Sequence, residues 1–136
     1  MILIDTTVAV DFLRGEKETK SRINSIQARG DSIGISTISL FELVHPLRHR
    51  KLAEQERLVR SFVHQLSLLA LDSAAANESA EIMGSLLRVG QPVNALDVLI
   101  AGTAVANGVE MVLSNDEDFE KIANVSDLKV EILRKK

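Results

Sequence analysis

The chain has 136 residues, of which 46% are hydrophobic and 26% are charged, and its formal net charge is −3. This size and balance are typical of one globular core, so we expect a single domain over residues 1–136. The absence of cysteine excludes disulfides and thiolate metal sites. The negative charge argues against a protein that holds nucleic acid by charge alone. Only 3% of the residues are aromatic, which argues against broad base-stacking surfaces.

The apolar segments of the chain are short. None approaches the roughly 18 residues that a membrane helix needs. The chain starts directly with Met1-Ile2-Leu3-Ile4-Asp5, without the basic stretch and long apolar segment of a secretion signal. We therefore expect no membrane segment and a cytoplasmic location.

Short apolar runs alternate with helical patterns along the chain. The predicted strands are 2–4, 32–36, 68–71, 111–113 and, at an edge, 130–133. The predicted helices are 8–13, 16–29, 37–48, 52–66, 73–89, 94–107 and one that starts near Asp116. Thr37 or Ser39 is the expected N-cap of the third helix, and Pro46 should kink or end it. The alternation predicts an α/β domain with a mostly parallel central sheet.

Four acidic residues from distant parts of the chain are predicted to meet at one end of this sheet. Asp5 directly follows the first strand, and Asp116 follows the fourth by three residues. Glu42 lies in the first turns of the helix after the second strand, and Asp97 lies near the start of the nearly apolar helix 94–107. In open parallel sheets, sites form beyond the carboxyl ends of the strands.

Each acid also has a purely structural explanation. Asp5 suits an Asx turn, Asp97 and Asp116 suit helix N-termini, and Glu42 suits a solvated helix face. The joint pattern favours a site, because Asp97 interrupts an apolar segment and Glu42 is bracketed by apolar residues. No lysine or arginine lies within one helical turn of any of the four in sequence. Clustered carboxylates of this kind suit Mg²⁺ or Mn²⁺.

Four blocks of the chain together resemble the signature of PIN domains, and in particular of the VapC toxins. The blocks are Asp5-Thr6-Thr7-Val8, Glu42, Asp97-Val98-Leu99-Ile100-Ala101 and Ser114-Asn115-Asp116-Glu117-Asp118-Phe119. They occur in the family's order and cover almost the whole chain. Two departures affect only the polar surroundings of the acids: Leu96 stands where family members often have asparagine, and Ser114 stands for the usual threonine.

The resemblance implies a three-layer PIN-like domain with strand order 3-2-1-4-5 and an acidic metal pocket. It implies Mg²⁺- or Mn²⁺-dependent endonucleolytic cleavage of RNA, with Asp5, Glu42, Asp97 and Asp116 as catalytic and metal-binding residues. It also implies an antitoxin protein that covers the pocket, and a homodimer. A PIN nuclease of RNA maturation and a non-catalytic interaction domain of the same fold remain alternatives.

Further residues near these blocks have two interpretations each. The hydroxyls of Thr7 and Ser114 either orient a carboxylate or a water, or make simple turn contacts. Asp118 is more simply a solvated helix acid. Residues with a possible role in RNA binding, or else an ordinary place in solvent, are Arg14, Arg48 and Arg50. The basic end at 134–136 is interpreted as a solubilising terminus.

Two other kinds of site are less well supported. His45 and His49 share a helix face with Glu42 at a spacing that can bind zinc, but Pro46 lies between them and there is no HExxH motif. A nucleotide-binding module would need a glycine-rich loop after the first strand, where Asp5-Thr6-Thr7 stands instead. A response-regulator receiver would need a lysine late in the chain, and its acids would come from other elements.

The first two helices carry much apolar surface. This surface consists of Val8, Phe12, Leu13, Ile23 and Ile26. It predicts a groove, bordered by helix 52–66, for an amphipathic segment of a partner. The alternative, that these residues fill the core, is equally open.

Overall fold

The computed structural model describes residues 1–134, which form a five-stranded sheet with helices on both faces. The strands are β1 (Ile2–Ile4), β2 (Ile33–Ser36), β3 (Ser67–Leu69), β4 (Met111–Ser114) and β5 (Val130–Ile132). The helices are α1 (Thr6–Leu13), α2 (Lys17–Ala28), α3 (Thr37–His49), α4 (Ala53–His64), α5 (Ser73–Arg88), α6 (Ala95–Ala106) and α7 (Asp118–Asn124).

The strand order is β3-β2-β1-β4-β5, which confirms the predicted order 3-2-1-4-5. Every strand pair is parallel, so the sheet is wholly rather than mostly parallel. β1 lies at the centre, where Ile2 pairs with Ile33 of β2 on one side and with Met111 of β4 on the other. All three residues of β1 are buried, as expected for a strand covered on both faces.

Side chains of β1 alternate between two separate cores. Ile2 and Ile4 pack into a cluster with buried residues of α1 to α4. Leu3 points the other way, into a cluster formed with α5, α6 and α7. Successive side chains of a strand face opposite sides of the sheet, so a three-residue strand contributes to both cores. The result is the predicted three-layer architecture.

Some element ends differ from the sequence prediction. The N-cap of α3 is Ser36, whose Oγ accepts from the backbone nitrogen of Ser39 at 3.1 Å. Pro46 does not end the helix, since α3 continues to His49. The third strand stops at Leu69, before the predicted end at residue 71.

Arg134, the last described residue, is exposed and forms ion pairs with acids at the end of α1 and just after it. The Arg134 guanidinium lies 3.4 Å from Asp11 Oδ2 and 3.7 Å from Glu16 Oε1. The remaining two residues of the predicted basic tail, 135 and 136, lie outside the described residues. Over residues 1–134, no helix is long and apolar enough to cross a membrane.

Candidate active site

Asp5 is fixed at the carboxyl end of the central strand. It is the N-cap of α1, is only 1% exposed, and accepts from the backbone nitrogen of Val8 at 3.0 Å. Thr7 Oγ1 donates to Asp5 Oδ1 at 2.7 Å, and Ser114 Oγ donates to Oδ2 at 2.5 Å. Burial raises the pKa of Asp5 to about 6 against the opposing effect of these hydrogen bonds, and the charge of Asp116 adds to the rise. Asp5 therefore serves the structure and the site at once.

Asp97 shows how the acids act on one another. It lies in the first turn of α6 and is half-buried. Burial is the largest cause that raises its pKa to about 7, followed by the negative charges of Asp116, Asp5 and Glu42. The fold thus brings together the four acids that the sequence singled out. Among residues 1–134, no lysine or arginine forms an ion pair with any of these four acids.

Asp97, Asp116 and Asp118 form the tightest part of the cluster. Each offers a carboxylate oxygen, and these three atoms lie within 4.8 Å of one another. Asp116 also accepts from the backbone nitrogen of Asp118 at 2.9 Å, while Lys121 Nζ lies 3.2 Å from Asp118 Oδ1. The Asp118 side chain is 39% exposed, which agrees with a solvated helix acid, and it also lies close to two other acids.

Glu42 enters the site from α3. It is half-buried, and Thr6 Oγ1 donates to its Oε1 at 2.6 Å. Sequence analysis singled out Thr7 but not Thr6, although both follow Asp5. Nothing in the local pattern indicates which of two neighbouring hydroxyls meets a carboxylate 36 positions away.

Hydrogen bonds connect the segment after β1 with Ser114 and Asn115 at the end of β4. Thr7 Oγ1 accepts from the backbone nitrogen of Asn115 at 2.9 Å while it donates to Asp5. Ser114 Oγ accepts from the backbone nitrogen of Asp116 at 2.8 Å while it donates to the same Asp5. Each hydroxyl therefore orients the buried carboxylate and a second loop, rather than making a turn contact alone.

Asn94 does not replace the asparagine that family members often carry at position 96. Asn94 is exposed, and its Oδ1 accepts from the backbone nitrogen of Leu96 at 2.8 Å as the N-cap of α6. It fixes the start of the helix that carries Asp97, which is a structural contribution to the site.

The basic residues predicted near RNA differ in their surroundings. Arg48 makes a two-pronged pair with Glu56, with both distances 3.1 Å, so part of its charge is already compensated. Arg14 and Arg50 are exposed, and no ion pair among residues 1–134 includes either of them.

The structure gives no support to a histidine site for zinc. His45 is exposed and stacks on Phe41, with ring centroids 4.8 Å apart. Among the described residues, the group of side chains close enough to share a metal contains only aspartates.

Much of the apolar surface predicted for a partner groove belongs to the core. Val8, Ile23 and Ile26 are buried, which favours the core interpretation for these three. Phe12 is half-buried and stacks on Phe62 of α4 at 5.1 Å, and Leu13 remains 38% exposed. Leu13, in the last turn of α1, thus keeps part of its apolar surface exposed, one residue after the Phe12 that contacts α4.

The donor set of the acidic cluster fits a hard divalent cation. The groups are carboxylate oxygens without nitrogen or sulfur ligands, and they come from the N-cap of α1, from α3 and α6, and from the loop and helix after β4. Such ligands suit Mg²⁺, Mn²⁺ or Ca²⁺ better than copper or zinc. A bound cation would offset the repulsion that raises the pKa of Asp97.

Fold and acidic cluster together define a PIN domain, and a family model described as the PIN domain matches residues 2–125. The chain belongs to this family. It is 31% identical over 126 residues to the tRNA(fMet)-specific endonuclease VapC of Salmonella typhimurium, covering 90% of this chain and 92% of that protein. It is 31% identical over 123 residues to the ribonuclease VapC19 of Mycobacterium tuberculosis, covering 88% and 92%. The crystal structure of DNA-bound VapBC from Salmonella typhimurium contains a chain with a TM-score of 0.77 and 28% identity, at 96% coverage of both chains.

Proposed function

We propose that this chain is a divalent-metal-dependent endoribonuclease and the toxin of a toxin–antitoxin pair. The observation that carries the proposal is the cluster of mutually repelling carboxylates at the carboxyl end of β1 and β4. The names of its relatives, an endonuclease and a ribonuclease of the VapC type, support the reaction class. The all-carboxylate donor set supports Mg²⁺ or Mn²⁺ as the cofactor.

The residues that would hold the cation are Asp97, Asp116 and Asp118, with Asp5 and Glu42 facing them. A divalent cation, when bound, supplies charge neutralisation and Lewis acidity for a phosphodiester. Asp5 is held by Thr7 and Ser114, so its oxygens keep a fixed position. Rigid carboxylates of this kind lower the cost of organising the site before the substrate arrives.

Arginines on the surface would bind the phosphates of the RNA on either side of the cleaved bond. Arg14 and Arg50 are the better candidates because their charges are not shared with an acid in the described residues. Arg48 would first have to release Glu56 or share its guanidinium with both groups. The net charge of −3 fits a protein that relies on a bound cation as well as on these arginines.

Control of such a nuclease would come from an antitoxin protein. The similar structure from Salmonella typhimurium is that of VapBC bound to DNA, which supports a partner of the VapB type. The negative cluster suits an arginine or lysine from that partner. The exposed end of α1 beside α4 suits an apolar side chain of that partner. The proposal also includes a homodimer of this chain and a cytoplasmic location.

Cleavage of RNA with added Mn²⁺ by wild type, Asp97→Asn and Asp127→Asn tests the reaction. Asp97→Asn should abolish cleavage, because it removes one carboxylate of the tight group, whereas the exposed Asp127 provides a matched control. Asp97 is a better choice than Asp5, since Asp5 also caps α1 and its loss would disturb the fold. Cleavage by Asp97→Asn at the wild-type rate would refute the assigned site.

The toxin role has a separate test. Expression of the chain alone should arrest growth, and co-expression with the small reading frame next to its gene should restore it. Normal growth with folded wild-type protein present would refute the toxin role. Retained cleavage in vitro would then indicate a nuclease of RNA maturation, and absent cleavage would indicate an interaction domain.

A further inference from the structure

A row of three hydroxyl groups leads from the start of α3 to Glu42. Ser36 Oγ lies 3.4 Å from Ser39 Oγ, and Ser39 Oγ lies 2.9 Å from Thr6 Oγ1. Thr6 Oγ1 in turn lies 2.6 Å from Glu42 Oε1. The two serines are fully buried, and Thr6 is half-buried. A buried hydroxyl group without a hydrogen-bond partner costs free energy. Each hydroxyl of the row is therefore held in the orientation that keeps its hydrogen bonds.

The direction of the protons along this row follows from counting donors. An ionised carboxylate only accepts, so the single proton of Thr6 goes to Glu42. The contact between Ser39 and Thr6 then requires the proton of Ser39, and Thr6 accepts it. Ser36 Oγ, which accepts from the Ser39 backbone nitrogen, has its own proton free for Ser39 Oγ. Every hydroxyl thus donates once, toward Glu42.

The two threonines after Asp5 serve different acids. Thr7 donates to Asp5, whereas Thr6 donates to Glu42, which comes from another element of the fold. Among residues 1–134, no lysine or arginine forms an ion pair with Glu42. The hydroxyl row therefore provides a fixed polar partner for one oxygen of Glu42 and leaves the other oxygen available to the cluster.

We propose that Thr6 and Ser39 are positioning residues, which orient the Glu42 carboxylate toward the acidic cluster through the hydroxyl row. The inference rests on the proposed function, because it assumes that the cluster holds a divalent cation. Outer partners of metal ligands typically change metal affinity or activity by about 10- to 100-fold when they are removed. The row thereby couples the N-terminus of α3 to the metal affinity of the site.

Calorimetric titration with Mn²⁺ alone tests the proposal on Thr6→Val, Thr6→Ser and Asp97→Asn. Thr6→Val keeps the shape and removes the donor, so Mn²⁺ binding should weaken by about 10-fold or more. Thr6→Ser should restore near wild-type affinity, which a loss of packing would not predict. Thr103→Val is the matched control. Thr103 is fully buried, and its hydroxyl donates to the Leu99 carbonyl of its own helix at 2.8 Å rather than to an acid of the cluster.

The outcomes separate this inference from the proposed function. Wild-type affinity in Thr6→Val, together with lost binding in Asp97→Asn, would overturn the positioning role and leave the metal site intact. Wild-type affinity in both variants would refute the metal site and the positioning role with it. If Thr6→Val does not fold, Ser39→Ala provides the second variant: a smaller loss of affinity supports the row, and unchanged affinity overturns it.

Discussion

Replacing Asp97 by asparagine is expected to stabilise the metal-free protein while it destroys the site. Burial and three neighbouring acids raise the pKa of Asp97 from 3.8 to about 7. A tenfold change in an ionisation constant corresponds to about 1.4 kcal/mol, so this rise represents about 4 kcal/mol against folding at alkaline pH. Asp97 is only half-buried and water screens its neighbours, so we expect about 2 kcal/mol to remain.

The sign of the pH dependence follows from the direction of the pKa rise. The folded protein binds the Asp97 proton more tightly than the unfolded chain does, so the charge costs nothing well below pH 3.8. The cost grows as the pH rises and is complete above about 7. The advantage of Asp97→Asn over wild type should therefore be largest near pH 8 and fall to less than half by about pH 4.

Urea unfolding with a chelator present, at about pH 8 and pH 4, measures this difference. Asp127→Asn provides the matched control, since Asp127 is exposed and its substitution should leave stability nearly unchanged. Added Mn²⁺ should stabilise wild type but not Asp97→Asn, because a ligand that binds only the folded state favours it. An Asp97→Asn protein no more stable than wild type at pH 8 without metal would refute the reasoning about repulsion.

Two further predictions concern packing and an ion pair. Gly102→Ala should destabilise by about 1–3 kcal/mol or more, because a Cβ there would lie 2.6 Å from the backbone nitrogen of Ser79. The control is Gly84→Ala on α5, where a Cβ would make only an ordinary van der Waals contact with Arg88 Nη1 at 3.5 Å, and it should stabilise by about 0.5–1 kcal/mol. Equal melting temperatures of the Gly102→Ala and Gly84→Ala variants would contradict this prediction. Arg22 lowers the pKa of Glu131, so Glu131→Gln should cost about 0.5–1 kcal/mol at pH 7. That cost should disappear as the pH falls through the lowered folded-state pKa, and a cost unchanged at about pH 3 would contradict the assignment.

Local patterns in the chain were sufficient to predict the elements and the main acids. The run Ile2-Leu3-Ile4 before Asp5 predicts a buried strand that ends on an acid, and the structure shows this arrangement. Asp97 within an apolar helix likewise indicated a partly buried acid near other acids, in agreement with its pKa, which burial raises most and the neighbouring acids raise further. The strand order came from the resemblance to PIN domains, because periodicity alone does not say which strands are neighbours.

Contacts between distant residues decided the rest. Asp118 joins the cluster because α7 begins close to the place where β4 packs against α6. Thr6 donates a hydrogen bond to Glu42 because α1 packs against α3. Arg134, although exposed, forms an ion pair with Asp11, more than 120 positions away in the sequence. Backbone propensity and side-chain periodicity act over a few residues, so they predict strands, helices and the positions of the acids along them. The partner of a hydroxyl or a charge depends on how those elements pack, and only the tertiary structure determines that.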